Sequence, residues 1–415
     1  MPARVTPPGF KPLASTALFT PLSVGAIELE HRVIQAPLTR MRAEEEVPHV
    51  YVPGDLMVEY YGQRASKGGL QITEATSISK YCCGYPKVPG IFTASQITGW
   101  KRVTDAVHAK GGKIVCQIWH VGRATISSVL DGKTPISCTT IPISGAHQDG
   151  TLYSDCPPRQ MTKGEMQEIK GDFVSAAKNA LEAGFDGVEI HGANGYLLDQ
   201  FLHDNVNTRT DEYGGSVENR ARFPLEVIKA VGEAIGGDRV GIRLTPYNYF
   251  QDTKDSKPVE HWSYICEQIA AMPEQYRLSY VSSVEPRFDE VLDEKAKMDA
   301  LHAYNNLPGG VEAEATVPTA HDLAPFRKIL KKGGIKFFAA GNFSRDNATP
   351  KVEADGADGI IFGRHYIANP DLPDRLRQGL PLNKYDRNTF YGADPPSKGY
   401  IDYPFYDAKT EGVTT

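Results

Sequence analysis

Short apolar runs alternate along this chain with longer stretches in which apolar residues recur every three or four positions. The runs lie at 32–37, 70–76, 113–119, 187–191, 240–244, 278–283, 337–341 and 359–363. Their length and near-uniform apolarity suit parallel strands buried on both faces. Helical periodicity follows most of them, at 97–109, 163–183, 217–235, 261–272, 322–331, 345–354 and 372–378. Ala183-Gly184 and Gly236-Gly237 are helix stops ahead of the next strand. Eight strands alternating with helices predict an α/β fold, a single (β/α)8 TIM barrel. An open doubly wound sheet would need a Gly-rich turn after its first strand, and Ala36-Pro37-Leu38-Thr39-Arg40 offers none.

Residues 122–160, rich in Pro, Ser, Thr and Gly, separate the third strand from its helix and read as a long capping loop over the barrel mouth. Residues 284–320 form a second long excursion. With no repeat and no low-complexity linker, one domain over 18–407 is expected, carrying an N-terminal strand cap. A flexible arm, 1–17, precedes it and a tail, 408–415, follows.

Composition narrows the function classes. Of 415 residues, 40% are apolar and 23% charged, the balance of a globular protein in water. A net charge of −6 argues against a nucleic-acid or anionic-membrane partner. No apolar run approaches the ~20 residues of a membrane span. Residues 1–10 contain no secretory h-region, so a cytoplasmic location is expected. Cys82, Cys83, Cys116, Cys138, Cys156 and Cys266 match no zinc spacing, so free thiols and no metal are expected.

The chemistry concentrates at strand ends. The fourth strand ends at His191, and Asn194 and Tyr196 follow within one loop. That brings two donors for a carbonyl oxygen and one phenol acid to the barrel face where catalytic groups are placed. The bland alternative is a set of polar residues capping the next helix. The last two strands end in Ala340-Gly341-Asn342 and Phe362-Gly363-Arg364. Loops after strands seven and eight commonly hold phosphate, glycines admitting backbone N–H groups and arginine adding a bidentate contact. Thr39 follows the first strand, and Gln117 lies near the end of the third. Arg243 lies inside the apolar fifth strand, where a guanidinium needs an anion or many acceptors. An electron-rich ring edge above the barrel satisfies it, and so does a buried pair with Glu74 or Glu189. Gln117 both donates and accepts, which suits an amide-like heterocycle edge.

The chain resembles the Old Yellow Enzyme family of FMN-dependent ene reductases over about residues 18–407. The resemblance is carried by Ala36–Arg42, Glu59-Tyr60-Tyr61-Gly62-Gln63-Arg64-Ala65, Ile72-Thr73-Glu74-Ala75 and His191–Gln200. It continues through Asn207–Ser216, Glu218-Asn219-Arg220-Ala221-Arg222-Phe223, Asn383–Tyr391 and Gly399-Tyr400-Ile401-Asp402-Tyr403-Pro404. The Asn-Lys-Tyr-Asp-Arg segment and the long cap are similar to the classical branch, with fungal and plant members nearest.

What the resemblance implies is specific. FMN is bound tightly and non-covalently, with Pro37, Thr39 and Ala75 beside the ring. Gln117 and Arg243 hold its pyrimidine edge, and Gly341, Asn342, Gly363 and Arg364 its phosphate. NADPH is the reductant. The substrate is an enone, an enal or a nitroalkene, with its carbonyl oxygen on His191 and Asn194. Tyr196 donates the proton, and Trp119 and Tyr391 line the substrate side. A phenol of reference pKa about 10 is protonated at pH 7 and can serve as that acid. The protein is expected as a monomer or homodimer. Two alternatives stay open: a reductase or isomerase dedicated to one biosynthetic enal, and a non-redox barrel enzyme holding a substrate phosphate. The chain departs from some relatives at Trp119-His120-Val121-Gly122-Arg123, at Ala75 where several carry glycine, and across 284–320.

Overall fold

A computed structural model describes residues 10–286 and 322–407. Eight barrel strands follow in chain order: β1 Val33–Gln35, β2 Leu70–Ile72, β3 Lys113–Trp119, β4 Gly187–Gly192, β5 Val240–Leu244, β6 Tyr280–Val284, β7 Lys336–Ala340 and β8 Gly359–Phe362. All neighbouring pairs are parallel, and the β8–β1 and β3–β4 pairings close the ring. A helix follows each strand: α1 Asp55–Arg64, α2 Ala94–His108, α3 Lys163–Glu182, α4 Val217–Ile235, α5 Pro258–Ala270, α6 Ala324–Lys332, α7 Arg345–Glu353 and α8 Leu372–Gln378. The expected (β/α)8 TIM barrel is the architecture found.

The strands are buried on both faces because each side of the ring meets its own core. Inside, Ile34, Leu70, Ile72, Val115, Tyr280, Phe338 and Ile361 pack together. An antiparallel hairpin, Leu22–Val24 with Ile27–Leu29, adds Leu22, Val24, Ile27 and Leu29 to that cluster. This is the N-terminal strand cap, and it fills the barrel interior. Outside, Trp100, Phe173, Trp262 and Phe337 belong to the layer between strands and helices. Helices α2 and α3 start at capping boxes, Thr93 with Gln96 and Thr162 with Glu165.

Helix α1 and the run 70–76 differ from the sequence expectation. Helix α1 follows no apolar stripe, because the residues it buries are Met57, Tyr60, Tyr61, Gly62 and Arg64. The run 70–76 is not one strand: β2 stops at Ile72, and Thr76–Ser77 pairs separately with the end of β3. Between them Glu74 turns inward, its carboxylate accepting the Arg40 N–H at 3.2 Å.

The capping loop is built from short pieces. Ile136–Ser137 pairs with Arg159–Gln160, and Ala146 bridges Leu152. Gln200 ties it to the barrel, accepting from Ser137 Oγ at 2.8 Å and donating to Val121 O at 3.0 Å. Three buried arginines fasten the last segment. Arg40 donates to Phe390 O (3.0 Å) and Gly399 O (2.6 Å). Arg42 donates to Thr389 O (2.9 Å), and Arg64 to Ile367 O (2.6 Å) and Tyr400 O (3.0 Å).

Of the expected arm, residues 10–17 are described, and the Leu13 N–H bonds Leu376 O in α8 at 3.2 Å. Residues 1–9, the excursion beyond Glu285-Pro286, and the tail 408–415 lie outside the described residues. Among the described residues no helix is long and apolar enough to cross a membrane.

Candidate functional site

One cavity of about 430 Å3 opens at the C-terminal ends of the strands. That volume falls in the ordinary small-molecule range of roughly 300–1,000 Å3. All fourteen side chains or backbone positions singled out from the sequence line it: Pro37, Thr39, Ala75, Gln117, Trp119, His191, Asn194, Tyr196, Arg243, Gly341, Asn342, Gly363, Arg364 and Tyr391. Sequence reasoning missed Tyr85, Gln148, Phe250 and Phe390, which line it too. Each arrives on a loop whose path depends on tertiary contacts.

The reacting end is assembled around β4. His191 is 4% exposed, and its Nδ1 is buried without a hydrogen-bond partner. Burial, reinforced by the nearby Arg243 guanidinium, pushes its pKa down to about 3, so the imidazole is neutral. After β4 the chain turns sharply. Asn194 has φ 57° and Gly195 φ 75°, and the Tyr196 N–H closes the turn on Ala193 O at 3.2 Å. Asn tolerates the left-handed region and Gly favours it, so Asn-Gly is the natural choice. A Cβ on Gly195 would also come within 2.7 Å of Gln251 Cβ. The Asn194 N–H donates to Thr245 Oγ1 (2.9 Å), and the Gly195 N–H to Asp199 Oδ2 (2.7 Å). The turn thus delivers Tyr196 beside His191 and Trp119, with ring centroids 5.0 and 4.6 Å apart and both contacts edge-on.

Behind the turn lies a buried ionic chain. His203 sits 3.1 Å from Asp199 and 3.0 Å from Asp255. Burial opposes its charge, but the two carboxylates together hold its pKa up at about 10. Asp255 also accepts from Trp262 Nε1 of α5 at 2.9 Å.

Under the middle of the cavity, β3, β4, β5 and β6 present one polar layer. Gln117 Nε2 donates to Glu189 Oε1 (2.7 Å), and Ser282 Oγ to Glu189 Oε2 (2.8 Å). Burial raises the Glu189 carboxyl above its usual range, and Arg243 pulls it back. Arg243 is 8% exposed and lines the cavity. Its charge acts on Glu189 from the neighbouring strand while its side chain lines the cavity. Glu74 is occupied elsewhere, by Arg40 and Tyr61. With its N–H2 group given to Glu189, Gln117 keeps its amide oxygen for a ligand N–H.

The opposite end is mostly backbone. Gly341 and Asn342 have φ 108° and 50°, and a Cβ on Gly363 would lie 3.6 Å from Leu38. Arg364 is half-buried with its guanidinium 5.7 Å from the Tyr385 ring centroid. A planar heterocycle with a phosphate tail matches this layout. Small residues Ala36 and Ala75 leave room for the ring, Gln117 and Arg243 meet its polar edge, and Arg364 and the glycines can hold the phosphate. At the reacting end, by contrast, two buried ring nitrogens, His191 Nδ1 and Trp119 Nε1, have no partner within the protein.

Comparison with known proteins agrees with that geometry. Residues 17–383 match the model of the NADH:flavin oxidoreductase / NADH oxidase family. The flavin oxidoreductase hxnT of Emericella nidulans is 61% identical over 388 residues, covering 94% of this chain and 97% of its own. The 12-oxophytodienoate reductase 1 of Oryza sativa is 46% identical, covering 97% and 96%. The solved structure of morphinone reductase superposes with a TM-score of 0.80 at 40% identity, over 97% of this chain and 99% of that one. Strand order, cavity and these matches agree: the chain belongs to the NADH:flavin oxidoreductase / NADH oxidase family, as a flavin oxidoreductase of the Old Yellow Enzyme group.

Proposed function

We propose that this protein is an FMN-dependent, NADPH-consuming ene reductase that saturates the activated C=C bond of α,β-unsaturated carbonyl compounds and nitroalkenes. The observation that carries the reading is the convergence of His191, Asn194 and Tyr196 on one wall of a cavity whose other wall suits a flavin phosphate. The chemistry supplied by bound FMN is hydride transfer, inward from NADPH and outward to the substrate β-carbon.

The chain's own residues do the rest. His191 and Asn194 hydrogen-bond the substrate carbonyl oxygen, drawing electron density from the β-carbon and stabilising the enolate-like charge that develops. His191 acts as a neutral donor, since burial beside Arg243 keeps it uncharged. Tyr196 gives its phenolic proton to the α-carbon. Thr39, Gln117 and Arg243 orient the ring, and Gly341, Asn342, Gly363 and Arg364 anchor the phosphate. Trp119, Phe250 and Tyr391 flank the substrate and keep water from the reacting carbon. Tyr391, 64% exposed, stands at the outer edge of the cavity.

Anaerobic titration of the yellow protein with NADPH, followed by a panel of enones, tests the reading. The expected result is bleaching near 450 nm, then recovery on adding 2-cyclohexenone with one saturated ketone formed per flavin. A colourless protein that turns over a phosphorylated substrate without redox change would overturn it.

A further inference from the structure

We propose that Glu189 is the positioning residue that turns the floor of the cavity into an acceptor, so that the site selects a ring with an imide N–H and keeps that proton in place. The proposal rests on the reading of the cavity as a flavin site with Gln117 at the pyrimidine edge.

Glu189 stands two residues before His191 on β4 and is fully buried. Its two oxygens are divided between two other strands. Gln117 of β3, paired with it in register, donates from Nε2 to Oε1 at 2.7 Å. Ser282 of β6 donates from Oγ to Oε2 at 2.8 Å. Gln117 is 2% exposed and Ser282 is fully buried, so bulk water does not compete for either donor. The strand between makes room for this layer. Glu189 pairs with Gly241 of β5, and a Cβ there would lie 2.2 Å from the Tyr280 ring. The ring occupies the space that any other residue at 241 would fill.

The chemistry of a carboxylate fixes the amide. An ionised carboxylate only accepts, whereas an amide has one donating end and one accepting end. Gln117 therefore has a single orientation, NH2 toward Glu189, and the oxygen is the end left for a molecule in the cavity it lines. A glutamine at 189 both donates and accepts, which leaves both orientations of Gln117 open.

The titratable and charged groups around Glu189 are His191 on its own strand, Arg243 on β5 and Tyr280 on β6; β3 offers Gln117, which does not titrate. Burial keeps His191 neutral and the Tyr280 phenol protonated. Burial also works against the Glu189 charge, while Arg243 and the two donors work for it. A ring N–H gives the Gln117 oxygen a hydrogen bond. The same nitrogen, ionised, meets a lone pair with a carboxylate behind it. Arg243 draws the other way, but Glu189 balances its charge.

The test follows flavin absorbance of the holoenzyme during titration with alkali. Free FMN loses its imide proton in alkaline solution, and 3-methyl-FMN, which has none, is the blank that identifies the transition. The wild-type protein should hold the proton beyond the pH at which free FMN releases it. Glu189→Gln should lower the midpoint by about one pH unit or more, the effect of removing one nearby charge. Glu189→Asp, which keeps the charge and the acceptor-only chemistry, should stay closer to wild type. A second measurement, at pH 7, compares the affinity of the apoprotein for FMN and for 3-methyl-FMN. Wild type should prefer FMN, and Glu189→Gln should reduce that preference roughly three- to tenfold, the worth of one neutral hydrogen bond. Gln117→Leu should reduce it as much. A role in packing alone predicts the reverse order, because glutamine is the nearer isostere of glutamate, and that order overturns the proposal. An unmoved midpoint and preference in Glu189→Gln, with both moved in Gln117→Leu, also overturns it. Wild-type values for both in Gln117→Leu overturn the placement of Gln117 at the pyrimidine edge instead.

Discussion

The two ends of the cavity are made of different material. At the β7–β8 end the cavity is lined by glycines, left-handed backbone and one guanidinium, all within a few residues of the strands. At the β4 end it is lined by side chains, and these stand on further layers: Thr245 and Asp199 under the turn, His203 and Asp255 under Asp199. Holding a phosphate needs donors that point inward, which backbone provides wherever a strand stops. Polarising a carbonyl oxygen and protonating the α-carbon needs two functions aimed at atoms two bonds apart, and that geometry must be fixed from outside. Changes at the first end should therefore alter how much flavin the protein keeps, and changes at the second how fast the flavin is used.

The sharpest separation is expected from Tyr196→Phe. Reoxidation by 2-cyclohexenone should slow by roughly 10²–10⁴, the usual contribution of a positioned general acid. NADPH reduction and flavin content should hold within a few fold. Nitroalkenes are the internal control, because their nitronate leaves without enzyme-supplied protonation. Flavin absorbance in stopped flow follows all three steps, and equal loss throughout would make Tyr196 a wall of the cavity instead of its acid.

Next is Arg364→Ala, at the other end. A charged hydrogen bond contributes roughly 1.5–3 kcal/mol, so FMN affinity should fall about ten- to a hundredfold. Once saturated with FMN, the variant should reoxidise with enone at close to the wild-type rate. Fluorescence titration of the apoprotein measures the first quantity, and unchanged affinity would remove Arg364 from the phosphate site.

Smaller again is His191→Ala. A neutral hydrogen bond is worth about 0.5–1.5 kcal/mol, so phenolic ligands that mimic the enolate should bind roughly three- to tenfold more weakly. Spectral titration with a para-substituted phenol checks this, and unaltered affinity would break the carbonyl clamp.

The finest test uses pH to compare His191 with His203. His191 has its pKa lowered to about 3, so the folded protein refuses a proton that the unfolded chain takes up near 6.5. Its contribution to stability is present above that pH and is lost as pH falls toward 3. His203 has its pKa raised to about 10, so its contribution is full below about 6.5 and is lost as pH rises through 10. Nitrogen NMR at pH 5 should show His191 neutral, and at pH 8 should show His203 still protonated. The opposite pattern would mean that the ionic chain behind the turn is not charged.

The same contrast explains what the sequence disclosed. The strands were legible because burial on both faces leaves them uniformly apolar, and the site residues because polar groups at the ends of such strands have little structural use. Helix α1 was not, since its buried face is made of Tyr60, Tyr61 and Arg64, which on a linear chain look like surface residues. The break in 70–76 was hidden because Glu74 needs the Arg40 backbone, remote in sequence, to become a buried residue. Tyr85, Gln148 and Phe250 lay outside the reading for a related reason. A loop residue joins a site through the contacts of its loop, and those exist only in three dimensions.

Arg40, Arg42 and Arg64 give the chain a built-in order of completion. Their guanidiniums are buried early in the sequence, yet the carbonyls that satisfy them belong largely to residues 367–400. A chain released before that stretch is made would carry three cations toward an interior with nothing to receive them. The same stretch supplies Phe390 and Tyr391 to the cavity wall. Finishing the protein and finishing the site are consequently one event, and truncated products should be discarded as unstable instead of accumulating as open, leaky flavin oxidases.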